Sequence, residues 1–267
     1  MIRDITLGQY FPGSSVIHRL DARVKIIGTF VFIVCLFIVR DFTGFAFCAV
    51  ALGLVTAMSK VPLSFILKGL KPVFIIILIT FVLNLFMTGG EVIFKWGFLV
   101  ITKEGAYRAV FLVIRIILLI ISSSVLTLTT KPISLTDGLE YILKPLKVFK
   151  VPAHELAMMM SIALRFIPTL LEETDKIMKA QMARGADFES GNIIRRAKSL
   201  IPILVPLFIS AFRIAGDLAM AMEARCYRGG EMRTRLHGMK IAGRDVLAIV
   251  CLVLFSGAVA VKCFILR

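Results

Sequence analysis

Residues 106–128 read AYRAVFLVIRIILLIISSSVLTL, and this stretch decides the fold. Its only charged residues are Arg108 and Arg115. A hydrocarbon core of about 30 Å requires roughly 17–25 helical residues, so the stretch is long enough to cross a bilayer. Because lipid offers no hydrogen bonds to the backbone, a transmembrane helix is the predicted structure.

Four other apolar runs are long enough to span a membrane. They cover residues 24–39, 42–58, 72–88 and 246–265. The first two are short and are separated only by Arg40 and Asp41, so they are predicted to form a tight helical hairpin. The chain of 267 residues is 58% hydrophobic and 18% charged, with a mean hydropathy of +0.91. Ordinary globular chains are about 45–50% apolar and about 25% charged, so the sequence predicts an all-α polytopic membrane protein with about five transmembrane helices.

The distribution of positive charge predicts the orientation of the chain. The net charge is +15, with 32 lysine and arginine residues. With a cytoplasmic N-terminus, the cytoplasmic segments 1–25, 59–71 and 129–245 contain 25 of these residues, and the outer segments contain five. Cytoplasmic segments of membrane proteins carry such an excess, although a segment as long as 129–245 is weak evidence. The sequence therefore predicts a cell-membrane protein whose N-terminus and long insert are cytoplasmic.

The long insert between the fourth and fifth spans is predicted to be helical, because its apolar residues recur at helical spacing. Proline and glycine residues delimit predicted helices at 134–149, 153–184 and about 193–228. Kinks or restarts are expected at Pro168, Pro202 and Pro206. Three regions follow from this division. They are residues 1–128 with the first four spans, residues 129–245 with the cytoplasmic helices, and residues 246–267 with the last span.

The two long insert helices carry surfaces suited to packing against other helices. Apolar residues follow helical spacing on the first, and alanines recur at every fourth position on the second. The residues are Met160, Ala163 and Ile167 on the first helix and Ala211, Ala215 and Ala219 on the second. Such a small-residue stripe predicts either an ordinary helix–helix contact or a crossing of the two long helices. Nine of the twelve methionines lie between residues 155 and 240, which indicates either an adaptable partner surface or a gap-filled core.

The sequence contains none of the common catalytic or metal-binding motifs. The three histidines are isolated, and no HExxH, CxxC, GxSxG or phosphate-binding loop pattern occurs. We therefore expect no catalytic residue, no metal ion, no cofactor and no ATP hydrolysis by this chain. Arg115, inside a predicted span, is expected to pair with a polar group of the helix bundle or to extend toward the interface, and a functional role is the alternative.

The strongest functional signal is a pair of arginines at predicted helix ends. Ala183-Arg184-Gly185 ends the first long helix, and Ala224-Arg225-Cys226 lies near the end of the second. A cation at a helix C-terminus complements the helix dipole by about 0.3–1 kcal/mol, which accounts for one such arginine. The repeated triplet instead favours two helix tips that enter grooves on a partner, where each guanidinium binds a buried carboxylate in a fork geometry.

These residues resemble the T component of energy-coupling factor transporters, a class of ABC importer. The resemblance covers essentially the whole chain and depends on three stretches. They are GQYFPGSSVIHRLDARVK at 8–25, RFIP at 165–168 running through QMARG at 181–185, and EARCY at 223–227. Ala22 replaces a proline common in the first stretch, and Cys226 replaces a glycine often found in the last. Because cysteine lacks the backbone freedom of glycine, a positive φ is not expected at position 226.

The resemblance implies a division of labour among several proteins. Two cytoplasmic ABC ATPase subunits would hydrolyse ATP, and each would receive one helix tip, at Arg184 or at Arg225. A separate membrane protein, the substrate-binding S component, would pack on the apolar face of the two long helices. The N-terminal stretch is more similar to the vitamin-importing branch than to the cobalt or nickel branch, which stays the alternative. The implied function is transmission of ATP-driven motion to the S component during micronutrient uptake.

Other classes of protein fit the sequence less well. A self-contained secondary transporter, the other alternative, predicts inverted repeats and polar groups at mid-membrane, which are not apparent. A membrane enzyme needs clustered Asp or His residues near a membrane face, and a conventional ABC permease usually presents a single coupling loop. A nucleic-acid-binding protein needs its basic residues on a soluble surface, so nucleic acid is not an expected partner.

Overall fold

The computed structural model describes residues 10–96, 99–149, 152–188, 192, 194, 198–227, 229 and 241–264. Helices account for most of these residues, which confirms the predicted all-α class. The chain divides into two compact units. Among the described residues, the span unit contains residues 10–139 and 241–264, and the insert unit contains residues 140–229.

The helices of the span unit comprise those of the five predicted apolar runs and two others. They are α1 (Ala22–Ile38), α2 (Phe42–Ser59), α3 (Leu63–Lys68), α4 (Phe74–Met87), α5 (Lys103–Thr129), the start of α6 (Pro132–Leu143) and, near the C-terminus, α9 (Gly243–Phe264). The two others are α3 and α6. A 3-10 turn at Lys71–Val73 joins α3 to α4. Side-chain caps fix two of the starts: the Asp21 carboxylate accepts from the Arg23 amide before α1, and the Thr102 hydroxyl accepts from the Gly105 amide before α5. Each cap satisfies a backbone donor that the first helical turn leaves free.

Helix α5 lies at the centre of the span unit and packs against α1, α2, α3 and α4. The main core draws on α1, α2, α5 and α9. Its buried members are Phe32, Cys35, Leu36, Val39, Phe45, Cys48, Leu52, Leu118 and Val259. Many large apolar side chains nevertheless stay exposed, including Phe74, Ile75 and Ile76 at the start of α4. An apolar surface this extensive is unsuited to water and suits contact with lipid.

A short β-hairpin separates α4 from α5. Strand β1 (Val92–Trp96) pairs antiparallel with β2 (Leu99–Thr102). The hairpin was not predicted, because both strands are too short for a clear alternating pattern between two long apolar helices. The hairpin is tied back to the helices, since the Thr102 hydroxyl donates to Thr88 O at 2.7 Å.

All five predicted spans correspond to helical segments, and four of these segments have the length and the apolar composition of a membrane span. Helices α2, α5 and α9 and the segment Leu63–Met87 are each long and apolar enough to cross a membrane. The first predicted span corresponds to α1, whose 17 residues make a rod of about 26 Å, at the short end of the spanning range. Two insert helices described below also meet the length and composition of a span, so six such helices occur among the described residues.

The insert unit contains two long helices that pack against each other. After the end of α6 and a 3-10 helix at Lys144–Phe149 come α7 (Ala153–Ala183) and α8 (Ile201–Ala224), which pack against each other. The helix predicted at 134–149 is thus divided at Leu143. The helix predicted at about 193–228 is interrupted at Leu200, which caps the start of α8, and the described residues 194, 198 and 199 before it are helical. Its predicted end was too late, because the left-handed turn at Cys226 follows the end of α8 at Ala224.

The prolines of the insert act in two ways. Pro202 lies in the first turn of α8, where a missing N–H costs nothing, and this confirms a helix start at that point. Pro168 and Pro206 instead lie inside α7 and α8, and both helices continue through them. Neither therefore restarts a helix.

Candidate functional site

The end of α7 forms the Arg184 tip, which comprises residues 181–186. Arg184 occupies the C-cap, and Gly185 follows with φ +86°. The Gly185 amide donates to Met182 O and the Ala186 amide donates to Gln181 O, each at 3.0 Å. These two bonds are the Schellman arrangement, which satisfies the carbonyls that the last helical turn leaves free.

The end of α8 forms the Arg225 tip, which comprises residues 222–227, and it repeats the same arrangement. The Cys226 amide donates to Glu223 O at 2.8 Å, and the Tyr227 amide donates to Met222 O at 3.0 Å. Cys226 has φ +56°, so the expectation that this position would avoid a positive φ was wrong. The backbone hydrogen bonds that close the helix require the left-handed conformation, and they override the steric preference of the cysteine side chain.

The two arginines therefore have the same local geometry. The C-cap angles are φ −89°, ψ 7° at Arg184 and φ −89°, ψ 11° at Arg225. Both side chains are exposed, and neither forms an ion pair with any residue that the structure describes. Each tip thus presents an unpaired cation at a helix end, flanked by small residues that leave room for a partner.

The two tips lie far apart within the insert unit. The Gln181 side-chain Nε2 at the Arg184 tip donates to Pro202 O at 3.5 Å, which places that tip beside the start of α8. Arg225 lies at the other end of α8, whose 24 residues make a rod of roughly 36 Å. One groove on a partner cannot receive both tips, so each tip requires its own binding surface.

The predicted packing residues are mostly left open by the chain itself. Ile167 and Ala211 are half-buried, and four others are exposed. The exposed residues are Met160, Ala163, Ala215 and Ala219. Helices α7 and α8 do contact each other, but exposed members of the alanine stripe are not covered by that contact. These positions are available to a helix from another protein.

The methionines of α7 and α8 follow the same pattern. None of the seven described methionines in these helices is buried. They are Met158, Met159, Met160, Met178, Met182, Met220 and Met222. A gap-filling role in the core of this chain therefore does not explain their clustering, and an adaptable surface fits their exposure.

Arg115 has a hydrogen-bond partner inside the span unit, although its buried Nε has none among the described residues. Its Nη2 donates to Val39 O at 3.1 Å, and Val39 is the C-cap of α1. The guanidinium carbon lies 5.4, 5.7 and 5.1 Å from the ring centroids of Phe37, Phe45 and Phe111. A helix C-terminus and aromatic faces both attract a cation, so the expected pairing with a polar group of the bundle is confirmed.

The N-terminal segment is held by a histidine that the sequence analysis gave no role. The His18 Nε2 lies 3.0 Å from Phe11 O, and its Nδ1 lies 2.7 Å from Ser15 Oγ. A carbonyl oxygen can only accept, so Nε2 donates and, in the neutral ring, Nδ1 accepts from the hydroxyl. A Cβ at Gly13 would lie 2.7 Å from the imidazole ring, so a larger residue there would displace the ring from these two contacts.

A second polar link joins the start of α1 to the start of α9. The Asp21 amide donates to Asp245 Oδ1 at 2.8 Å, and Asp245 Oδ2 accepts from the Ala242 amide at 2.8 Å. Asp245 is only 2% exposed. Sequence reasoning missed Asp245, because the two elements that it joins are 224 positions apart in the chain.

The fold and the two tips define an all-α, multi-pass membrane protein with two exposed, arginine-capped helix ends. The sequence pattern of the family CbiQ, described as "Cobalt transport protein", matches residues 13–236. Among the described residues, no cluster of three or more His, Cys, Asp or Glu side chains is placed to hold a metal ion.

Curated relatives match the chain over nearly its whole length, and each is described as "Energy-coupling factor transporter transmembrane protein EcfT". The relative from Thermosediminibacter oceani is 61% identical over 93% of this chain and 94% of its own. That from Clostridium kluyveri is 61% identical over 94% of both, and that from Bacillus subtilis is 48% identical over 96% and 97%. The chain belongs to this family, the transmembrane components of energy-coupling factor transporters.

Proposed function

We propose that this chain transmits ATP-driven motion from two ABC ATPase subunits to a substrate-binding S component during micronutrient import. The observation that carries the proposal is the repeated geometry of the Arg184 and Arg225 tips, with both guanidinium groups exposed and unpaired among the described residues. A guanidinium suits a bidentate pair with a carboxylate in a groove of each ATPase.

The separation of the tips supports two ATPases rather than one. About 36 Å of α8 lies between the start of that helix, where the Arg184 tip contacts it, and the Arg225 tip. Two subunits that approach each other on binding ATP would each move one tip. Because α7 packs against α8, movement of the tips would pass into the rest of both helices.

The open apolar side of α8 supports contact with the S component. Its large exposed side chains are Leu204, Val205, Phe208, Ile209 and Phe212. A continuous apolar surface of this kind marks a protein or lipid contact. Together with the exposed alanines and methionines it offers an adaptable face, which suits exchange among different S components.

The charge distribution supports a cytoplasmic position for the tips. The last turns of α7 carry Glu172, Glu173, Asp175, Lys176 and Lys179, and such residues are costly in hydrocarbon. These charges support a position of the Arg184 tip outside the membrane. Lysine and arginine are in excess in the segments 1–25, 59–71 and 129–245, which supports a cytoplasmic position for the tips and the N-terminus.

The double charge reversal Arg184→Glu/Arg225→Glu tests the proposal. We expect the variant to reach the membrane but to lose co-purification of both ATPases, together with uptake. The control is Lys144→Glu/Lys179→Glu, which changes the net charge equally at two exposed cations of the insert unit. Normal ATPase assembly and uptake in the double arginine variant would falsify the proposal.

Vitamin import is the finer proposal, and it is tested separately. It depends on the similarity of the N-terminal stretch to the vitamin-importing branch. Cells that produce this chain with its native partners should accumulate a labelled B vitamin, and the uptake should disappear in the Arg184→Glu/Arg225→Glu variant. Uptake of Co²⁺ or Ni²⁺ instead would assign the chain to the other branch.

A further inference from the structure

The span unit contains a polar cavity of about 430 Å³ that neither the coupling function nor the tips use. Its walls come from the N-terminal segment, the start of α1, the connection between α5 and α6, and the start of α9. Helix α1 begins at Ala22, α5 ends at Thr129 and α9 begins at Gly243. The cavity therefore lies where three membrane helices leave the apolar region, at the level of lipid headgroups.

Cationic side chains dominate the wall of the cavity. Four cations line it, against two carboxylates. The cations are Arg19, Lys25, Lys131 and Arg244. Three of them are exposed, whereas the Lys25 ammonium is partly buried and donates to His18 O at 3.2 Å and to Thr129 O at 2.9 Å. The exposed cations thus remain available to a ligand.

The two carboxylates of the wall are already engaged by the chain. The Asp21 carboxylate forms an ion pair with Arg23 Nη2 at 3.2 Å and accepts from the Arg23 amide at 2.9 Å. Asp245 accepts one backbone N–H on each oxygen, from Asp21 and from Ala242, at 2.8 Å. Neither carboxylate is placed to neutralise the exposed cations, so the site favours an anion.

One buried hydroxyl in the wall has no partner in the part of the chain that the structure describes. Thr130 is 5% exposed, and its Oγ1 forms no hydrogen bond with any described residue. Buried polar atoms are usually hydrogen-bonded, so an orphaned hydroxyl that lines a cavity indicates that a ligand completes it. Lys131, the next residue, is held near the cavity by the Tyr10 ring, whose centroid lies 5.9 Å from its Nζ.

We propose that this cavity binds a phosphate group, and that the headgroup of an anionic lipid supplies it. Basic pockets between transmembrane helices on the cytoplasmic side bind anionic headgroups through the same contacts. The exposed cations hold the phosphate charge, and the Thr130 hydroxyl donates to a phosphate oxygen. The lipid then joins the N-terminal segment, the α5–α6 connection and α9 at the cavity.

Native mass spectrometry of the full-length chain in detergent tests the proposal, with phosphatidylglycerol, phosphatidylcholine or inorganic phosphate added in separate arms. We expect one phosphatidylglycerol to bind in preference to phosphatidylcholine. Arg19→Gln/Lys131→Gln should weaken this binding roughly 30-fold, which is about 2 kcal/mol for two cations. The control Lys60→Gln/Lys71→Gln removes two exposed cations of the same unit outside the cavity and should bind lipid normally.

Thr130→Val provides a second variant of nearly unchanged volume, which should reduce phosphatidylglycerol binding severalfold while thermal unfolding stays cooperative. If millimolar inorganic phosphate displaces phosphatidylglycerol, the result supports a phosphate site that free phosphate can also occupy. If it does not displace the lipid while the Arg19/Lys131 and Thr130 variants weaken lipid binding, the result supports a site for the lipid headgroup. Equal binding by the wild type, the Arg19/Lys131 variant and the Thr130 variant would overturn the proposal, and so would an equal loss in the control pair.

Discussion

The Arg184 tip and the Arg225 tip end their helices with the same two backbone hydrogen bonds, yet they differ at the residue after the arginine. The first tip has Gly185 in the left-handed conformation, and the second has Cys226. A side chain with a Cβ adopts this conformation at a cost of roughly 1–2 kcal/mol. The chain thus holds Arg225 in the geometry of Arg184 even where the sequence makes that geometry unfavourable.

This difference separates two roles within each triplet. The arginine provides the charge, and the following residue provides only the backbone turn that positions it. A change of the arginine should therefore act mainly on partner binding, whereas a change of its neighbour should act mainly on stability. Four predictions follow this comparison, from the largest effect to the smallest.

Removal of one guanidinium should have the largest effect of these single changes. If each guanidinium binds an ATPase carboxylate as proposed, Arg184→Ala and Arg225→Ala should each leave that carboxylate unpaired, at a cost of about 3–5 kcal/mol, or more than 100-fold in ATPase affinity. Surface plasmon resonance with purified ATPases measures the loss. If the two tips are equivalent, the ATPase affinities of the two variants should differ by less than tenfold. A larger difference would show that the two tips do not contribute equally to binding.

Replacement of each arginine by lysine should have an intermediate effect on ATPase affinity. Arg184→Lys and Arg225→Lys keep the charge but lose the bidentate geometry, so we expect a loss of about 1–2 kcal/mol at each tip. The same binding assay measures it, with Lys179→Arg, at an exposed position of α7, as the control. Full affinity in both lysine variants would show that charge alone holds the tips.

Exchange of the turn residues should change stability in opposite directions. Gly185→Ala places a Cβ at φ +86° and should destabilise the end of α7 by about 1 kcal/mol, whereas Cys226→Gly should stabilise the end of α8 by a similar amount. Hydrogen exchange at the Ala186 and Tyr227 amides reports each tip separately. A shift of the same sign at both tips contradicts the shared backbone geometry.

Labelling of Cys226 should perturb the protein least, and it tests directly whether the Arg225 tip lies in the ATPase interface. Its side chain is exposed, whereas Cys35 and Cys48 are buried. A membrane-impermeant maleimide should modify Cys226 in inside-out vesicles, and bound ATPase should slow the reaction. Cys226→Ser provides the background rate. Unchanged labelling after the ATPases bind would remove the Arg225 tip from the interface.

Much of the fold was accessible from the sequence, but parts of it were not. The apolar runs, the helix at 153–184 and the arginine at each helix end follow from local periodicity and punctuation. The predicted end of α8 was wrong, because the Gly229-Gly230 pair is a stronger sequence signal for a helix end than Cys226, which adopts the left-handed conformation. The hairpin Val92–Thr102 also needed the structure, because its strands are too short for a clear alternating pattern, and so did the partner of Arg115, because Val39 lies 76 positions away in the chain.

The sequence alone determined that the chain is a helical membrane protein and that two arginine triplets lie on its long insert, because hydropathy and helical periodicity are local properties. The structure showed that the two triplets share one backbone geometry, because local hydrogen bonds at each helix end impose it even on Cys226, and that α8 separates the two tips. Tertiary packing decided that Arg115 donates to Val39 O, and it brought Asp21, Asp245 and Thr130 to one cavity. These last relations depend on contacts between residues far apart in the chain, which no local pattern records.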